Sequence, residues 1–199
     1  MQNFIYLVGD PLTREAAVID PGWEVPTILK TAQEDGYRIT KVFITHTHFD
    51  HVHGLEQLLK SGDVPVYVHR TEAPFLGLER TTIEPLKGGE TILVGQVPVS
   101  ILHTPGHTPG SQCLLVNGRL LSGDTLFIRS CGRCDLPGGD PALLYESLTK
   151  RLKVLDDATT LYPGHHYAEV PTSTIGTEKQ TSPFLRCPTL AEFLRMVGR

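Results

Sequence analysis

The chain has 199 residues, 40% of them hydrophobic, which is enough for one sizeable core and too little for two, so we expect one domain over residues 1–199. The formal net charge of −4 argues against a basic surface that would bind nucleic acid or an anionic membrane. No apolar stretch reaches the length of a membrane span, and the N-terminal segment carries Asp10, Arg14 and Glu15 where a signal peptide needs an apolar core. We therefore expect a cytoplasmic protein without a membrane or nucleic-acid partner; the sequence does not indicate its oligomeric state.

Short apolar runs bounded by turn residues predict strands, and longer periodic segments predict helices. In chain order, an opening hairpin is expected from Phe4 to Val8 and from Ala16 to Asp20. The further predicted strands are 42–45, 66–69, 91–94, 97–104, 112–116, 119–126 and 160–162. The predicted helices are 25–35, 55–59, 142–155 and 190–197. The chain is thus predicted to have strand-rich halves interrupted by helices, with no internal repeat.

Residues 45–51, with the sequence Thr-His-Thr-His-Phe-Asp-His, directly follow an apolar run that predicts a buried strand. Three imidazoles and a carboxylate so close together are groups that zinc, iron or manganese bind. In a loop that leaves a strand, His46 and His48 can bind one ion while Asp50 and His51 bind a second ion beside it. The alternative is a surface turn that happens to be rich in histidine.

The same pattern recurs at three further places, each an apolar run followed by a Gly or Pro turn and one ligand-type residue: His107, Asp124 and His165. In sheet-based folds the polar groups at one set of strand ends form the site, and glycine lets the backbone approach it closely. We therefore expect seven side chains to converge, namely His46, His48, Asp50, His51, His107, Asp124 and His165. They would give three terminal ligands to each of two metal ions, with Asp124 as the bridge. Such a set leaves room for water, as a catalytic site requires.

Two other features of the sequence each have two interpretations. Asp20, at the end of an apolar strand, can orient a ligand histidine or cap a turn. Cys131 and Cys134 have C-x-x-C spacing, but they lie among Gly, Pro and Asp. We favour reduced thiols in a loop over a redox pair there.

Five segments together resemble the metallo-β-lactamase superfamily, and the resemblance covers nearly the whole chain. They are Val-Ile-Asp-Pro-Gly at 18–22, the histidine-rich segment at 45–51, Thr-Pro-Gly-His-Thr at 104–108, Ser-Gly-Asp-Thr at 122–125 and Tyr-Pro-Gly-His at 162–165. The resemblance implies an α+β fold, a four-layer αβ/βα sandwich with the metals at one edge of its two sheets. True β-lactamases generally lack an aspartate at the position of Asp124, so antibiotic hydrolysis is not expected.

Within the superfamily, the chain is most similar to the glyoxalase II group and to its neighbours, the persulfide dioxygenases. Residues 127–139, 164–167, 173–178 and 182–186 carry this likeness. By position, it implies that Arg133, Tyr167 and Arg186 hold the thiol part of the substrate. Guanidinium groups bind carboxylates, which end glutathione-like groups, in a bidentate manner. The alternatives are surface ion pairs for the arginines and a packing role for the tyrosine.

The likeness to glyoxalase II implies hydrolysis of a small-molecule thioester, a hydroxyacylglutathione or a related acyl-thiol. Two divalent ions, zinc or iron, would depress the pKa of bound water towards about 7 and so provide a metal-bound hydroxide as the nucleophile. Asp50 or Asp124 would orient this hydroxide and accept its proton. The thiolate leaves without a strong general acid, because thiols have pKa values near about 8.5. The acyl group and the thiol carrier are not specified by the sequence.

Two other functions stay open at this point. Persulfide dioxygenases bind one Fe(II) through residues that correspond to His46, His107 and Asp124, a set with two histidines and one carboxylate that suits oxygen activation. The segment from Cys131 to Asp135 is similar to their pattern. A non-enzymatic metal carrier or sensor is the other alternative, and it predicts closed coordination without a pocket beside the ions.

Overall fold

The computed structural model of the chain describes residues 2–78 and 82–198, so the ends of the predicted domain, Met1 and Arg199, lie outside the described residues. Two β-sheets pack against each other, and helices cover the outer face of each sheet. The predicted four-layer α+β sandwich is therefore confirmed.

The first sheet has five strands in the order β1 to β5, namely Tyr6–Gly9, Glu15–Ile19, Arg38–Phe43, Val66–His69 and Ile83–Leu86. β1 and β2 form the predicted antiparallel hairpin, whereas β2 to β5 run parallel. The crossover connections that parallel strands need carry α1 (Val25–Glu34), α2 (Phe49–Val52), α3 (Leu55–Leu59) and a 3-10 turn (Ala73–Phe75). The sequence prediction lacks β5, because its exposed Glu84 and Pro85 interrupt the apolar pattern.

The second sheet has six strands in the spatial order β13-β12-β9-β8-β7-β6. From β6 to β9 these are Thr91–Val94, Val97–His103, Gln112–Val116 and Arg119–Gly123, and the last two are β12 (Thr160–Pro163) and β13 (Ser173–Thr174). A separate hairpin is formed by β10 (Leu126–Phe127) and β11 (Ser130–Cys131). β12 pairs with β9 in parallel. Since parallel strands end at the same edge, Asp124 after β9 and His165 after β12 lie at one edge of the sheet.

The helices beside the second sheet are short. They are α4 (Pro141–Glu146), which continues as a π-helical segment (Ser147–Leu152), α5 (Ile175–Thr181), α6 (Pro183–Arg186) and α7 (Leu190–Met196). The predicted helix 142–155 is thus found, but it ends at Leu152 and its second half is π-helical. The sequence prediction lacks α5 and α6, because neither has a periodic apolar face. No helix of the described part of the chain has the length and apolar character that crossing a membrane requires.

One predicted strand, 119–126, is wrong, because the structure interrupts it between β9 and β10. Gly123 has a φ of 49°, a left-handed conformation that favours glycine, and a Cβ atom there would lie 2.5 Å from Oγ1 of Thr45. The chain then turns, and the N–H of Thr125 donates to the carbonyl of Ser122 at 3.1 Å. This turn takes Asp124 out of the strand and places it next to the loop that follows β3.

Successive side chains of a strand point to opposite faces of its sheet, so each strand contributes to two layers of the hydrophobic core. In β2, Val18 packs with the helices of the first layer, whereas Ala17 and Ile19 pack between the two sheets. Beneath the second sheet, Phe193 of α7 and Leu148 belong to the same hydrophobic cluster, and both are fully buried. The last helix is therefore part of the core.

Replacing Phe193 with alanine should lower the free energy of unfolding by about 3–5 kcal/mol, because it leaves a cavity under the second sheet. Urea denaturation followed by circular dichroism measures this change. Met196→Ala in the same helix is the control, since Met196 is 43% exposed, and its effect should stay within about 0.5 kcal/mol. Equal effects of the two substitutions would contradict the packing described for α7.

Candidate metal centre

The structure brings together all seven side chains that the sequence predicts as metal ligands. Their ligand atoms form three groups, within each of which the atoms lie no more than 4.8 Å apart: His46, His48 and His107; His46, His51 and Asp124; and Asp50, His51 and His165. The first and the third group share no residue and are called here the first and the second triad. That these side chains bind metal stays a prediction, which the geometry allows.

The loop after β3 supplies four of the seven side chains. Its conformation is fixed by Asp20, whose carboxylate accepts hydrogen bonds from the N–H of Thr45 at 2.7 Å and from the hydroxyl of Thr45 at 2.6 Å. His48 then takes an extended conformation as the N-cap of α2, and the first turn of α2 contains Asp50. A Cβ atom at Gly22 would lie 1.8 Å from the carbonyl oxygen of Asp50, so only glycine lets the two segments approach so closely.

Asp124 lies between the two triads. Its Oδ2 is 3.6 Å from Nε2 of His107 and 3.2 Å from Nε2 of His165, while its Oδ1 is 3.3 Å from Nε2 of His51. The same carboxylate therefore contacts one histidine of the first triad and two of the second. This position is the one that a bridging ligand needs.

The protonation states suit metal binding at most of these positions. Burial lowers the pKa of His46, His48 and His107, so these imidazoles are neutral at pH 7 and can offer a lone pair. Burial opposes the charge of Asp124, but hydrogen bonds from His165 and His51 outweigh it and hold the pKa of Asp124 well below its usual range. A charged carboxylate among neutral imidazoles is a typical ligand set for zinc or iron.

His51 lies near three carboxylates, those of Asp20, Asp50 and Asp124. Burial alone would lower its pKa, but hydrogen bonds with Asp124 and Asp20 raise the pKa of His51 to about 10. Its Nδ1 lies 2.9 Å from Oδ2 of Asp20, so Asp20 both orients a predicted ligand histidine and holds the turn at Thr45. The structure supports the interpretation that Asp20 orients a predicted ligand histidine, because its carboxylate bonds to His51 and to Thr45 in the ligand loop.

Three buried nitrogen atoms in the centre lack a hydrogen-bond partner within residues 2–78 and 82–198: Nε2 of His46, Nε2 of His107 and Nδ1 of His165. A buried polar atom without a partner costs about 1–3 kcal/mol, so such atoms need an explanation. The first two belong to the first triad, and the other ring nitrogen of His107 is 2.6 Å from the carbonyl of Arg133. That bond leaves Nε2 of His107 unprotonated and ready for a cation, so the residues fit a metal ion.

Asn3 is a contributor that the sequence prediction lacks. Its side-chain amide donates to Oδ2 of Asp50 at 2.9 Å and to the carbonyl of Asp50 at 3.1 Å. The surrounding segment pairs with the residues around His165, since the N–H of Phe4 donates to the carbonyl of Gly164 at 2.8 Å. The N-terminal segment thus orients two members of the second triad, and no local sequence pattern indicates this.

The three predicted substrate-binding residues differ in their surroundings. Tyr167 is 62% exposed, and its ring stacks on that of His165 with 4.7 Å between the centroids. Arg133 is also exposed, but its guanidinium forms a bidentate pair with Asp135 at 2.7 and 2.8 Å. Arg186 is exposed at the end of α6, a helix that packs against β11. Tyr167 is therefore the one of the three that the structure brings into contact with a predicted ligand through its side chain.

Cys131 and Cys134 are not joined in a disulfide; the first is partly buried and the second buried. Burial, together with the neighbouring Cys134, raises the pKa of the Cys131 thiol. A raised pKa disfavours the reactive thiolate. The preference for reduced thiols is consistent with this, and it stays a prediction.

Three known proteins illustrate what the chain is similar to. The hydroxyacylglutathione hydrolase of Nitrosococcus oceani is 39% identical over 173 residues, which are 84% of this chain and 64% of that protein, so the chain spans less than two thirds of this relative. The crystal structure of ETHE1 from Myxococcus xanthus superposes with a TM-score of 0.90 and 34% identity, over 98% of this chain and 85% of that one. The crystal structure of TTHA1623 in a di-iron-bound form superposes with a TM-score of 0.79 and 36% identity, over 92% of this chain and 95% of that one.

The family model described as the metallo-beta-lactamase superfamily matches residues 1–165 of the chain. This range includes both sheets up to β12 and all seven side chains of the two triads and Asp124. The four-layer fold, the seven grouped side chains and the match to the family model all point to the same family. The chain belongs to the metallo-beta-lactamase superfamily.

Proposed function

We propose that the protein is a metal-dependent hydrolase that cleaves a small-molecule thioester, as hydroxyacylglutathione hydrolases do. The observation that carries this proposal is the position of Asp124 between two triads, which suits two ions side by side. A relative that is named hydroxyacylglutathione hydrolase supports the substrate class. A cytoplasmic location, a small-molecule substrate and the absence of a nucleic-acid partner stay predictions.

His46, His48 and His107 would hold one ion, and Asp50, His51 and His165 the other, with Asp124 between them. When bound, two such ions lower the pKa of a coordinated water towards about 7 and polarise the thioester carbonyl. The protein then has to orient the attacking water and accept its proton.

Asp50 and Asp124 divide these two tasks. We assign the orientation of the water to Asp124, because its carboxylate lies between the two triads and contacts His51 and His165. The side chain of Asp50 is 15% exposed and bonded to Asn3, and we assign to it the acceptance of the proton. No acid is required on the leaving side, because a thiol with a pKa near about 8.5 departs as thiolate.

The centre is partly open, which favours an enzyme over a closed metal carrier. The side chains of Asp50 and Asp124 are 15% and 11% exposed. A cleft of about 1000 Å³ is lined by Phe49 and His53, but none of the seven predicted ligands lines it. Phe49, next to Asp50 in the chain, is 60% exposed. Tyr167, whose ring stacks on that of His165, is exposed as well. A carrier predicts no open space beside the ions, whereas a hydrolase needs room for its substrate.

We expect metal-replete protein to contain two ions per chain and to release thiol from S-lactoylglutathione, from an acyl-coenzyme A or from a simple acyl thioester. Dialysis against a chelator should abolish the release, and Zn²⁺ or Fe²⁺ should restore it. Thiol release is followed with a chromogenic thiol reagent, and metal content by elemental analysis.

Asp124→Ala should lower the metal content and reduce kcat by about 100-fold or more, because it removes the group between the triads. Asp35→Asn is the matched control on the exposed end of α1 and should change neither quantity. Failure of the metal-replete protein to release thiol from all three substrates would refute the hydrolase proposal.

Tyr167→Phe should raise KM by about 2–10-fold and leave kcat and metal content nearly unchanged, since it removes one hydrogen bond to the bound thiol part. Tyr145→Phe is the control, because Tyr145 packs against Phe193 within the helical layer. Steady-state kinetics of both variants decide the role of Tyr167. Unchanged KM values in Tyr167→Phe would assign Tyr167 to packing.

A persulfide dioxygenase is the second candidate, and the loop from Cys131 to Arg133 favours it. Gly132 lies so close to the centre that a Cβ atom there would be 1.8 Å from the carbonyl of Asp124 and 3.1 Å from Nδ1 of His107. This loop therefore contacts two of the three ligands that a single iron would use. Oxygen consumption with glutathione persulfide and one iron per chain, without thiol release from thioesters, would select the dioxygenase.

A further inference from the structure

Glu72 is a buried carboxylate that contacts both loops of the first triad, although it is not itself in a triad. It lies three residues after β4 and is 2% exposed. One of its oxygens, Oε2, accepts hydrogen bonds from the N–H of Thr47 at 3.0 Å and from the hydroxyl of Thr47 at 2.5 Å. The other oxygen, Oε1, accepts from the N–H of Gly110 at 3.0 Å.

These two partners belong to different ligand loops. Thr47 lies between His46 and His48, and Gly110 lies three residues after His107. Each oxygen of Glu72 therefore holds one loop, in addition to the hydrogen bond from the N–H of Gln112 to the carbonyl of Thr45 at 3.0 Å that links the same two segments. Neither loop is a helix or a strand at Thr47 or Gly110, so the backbone ladder of the sheets does not fix the distance between those two residues.

The contact at Gly110 is tight. A Cβ atom there would lie 2.4 Å from Oγ1 of Thr71 and 2.5 Å from Cγ of Glu72. The segment before Glu72 holds the same loop by a second route: His69 stacks on His103 with 4.0 Å between the ring centroids, and Nε2 of His103 bonds to the carbonyl of Pro109 at 2.9 Å. The loop of His107 is thus anchored on the end of β4.

We propose that Glu72 is a positioning residue for the ion of the first triad. By bonding to Thr47 and Gly110 at once, it holds His46, His48 and His107 at the separation that one ion requires before that ion binds. Groups that orient ligands in this way typically contribute 10–100-fold to metal affinity. The proposal depends on metal binding by the first triad but not on thioester hydrolysis.

Glu72→Gln tests the proposal, because it replaces one acceptor oxygen with an amide that cannot accept from an N–H. The affinity of the first triad for Zn²⁺ should fall about 10–100-fold, and that of the second triad by less than about 3-fold. Competition with a chromophoric chelator measures both affinities. His165→Ala protein reports the first triad alone, and His48→Ala protein reports the second. The visible spectrum of Co²⁺ at the first triad should also change.

Glu178→Gln is the matched control. Glu178 is fully buried and accepts hydrogen bonds from the N–H of Arg129 at 2.7 Å and from the hydroxyl of Ser173 at 2.6 Å, but neither partner is in a loop of the first triad. Glu178→Gln should lower the free energy of unfolding, measured in urea, about as much as Glu72→Gln does. Both metal affinities of Glu178→Gln protein should stay unchanged. Equal losses at the two triads of Glu72→Gln protein, or an equal loss in the control, would overturn the proposal.

Thr47→Val serves if Glu72→Gln does not fold. It removes the hydroxyl bond to Glu72 and keeps the backbone bond, so the affinity of the first triad should fall in the same direction by a smaller factor. An unchanged affinity of the first triad in folded Thr47→Val protein would likewise overturn the proposal.

Discussion

The centre depends on one electrostatic constraint: five imidazoles and two carboxylates have to lie together in a largely buried space. Neutral imidazoles tolerate burial, and His46 and His107 are in this state. A buried carboxylate is tolerated only with hydrogen-bond partners, which Asp124 finds in His51 and His165. The balance leaves unsatisfied lone pairs on Nε2 of His46 and Nε2 of His107, which a metal ion would satisfy.

The topology brings these groups together without a continuous binding segment. β12 runs parallel to β9, so their ends place His165 beside Asp124, and the turn at Gly123 moves Asp124 towards the loop that follows β3. Glycine is required where backbones meet, as at Gly22 and Gly132. The strands therefore determine which residues meet, and the glycines determine how closely.

The sequence predicts the layers and the convergence of the ligand residues well, because strand ends followed by Gly or Pro turns and single polar residues are local patterns. It does not predict Asn3, whose bond to Asp50 joins positions 47 residues apart, because nothing near Asn3 refers to that partner. The same pattern could have indicated Glu72, because it is a polar residue shortly after a buried parallel strand, as the predicted ligands are. The break of the strand at Gly123 depends on the contact with Thr45, which exists only in the folded chain.

The pairing of the N-terminal segment with the residues around His165 has a consequence for how the molecule is made. The hydroxyl of Tyr6 bonds to the carbonyl of Pro163 across 157 positions, and Phe4 bonds to Gly164 close by. Because synthesis runs from the N-terminus to the C-terminus, the segment around Phe4 is made long before Pro163 and Gly164, its partners in the second sheet. The second triad can form only after His165 has been made, whereas His46 and His48 are already present by then.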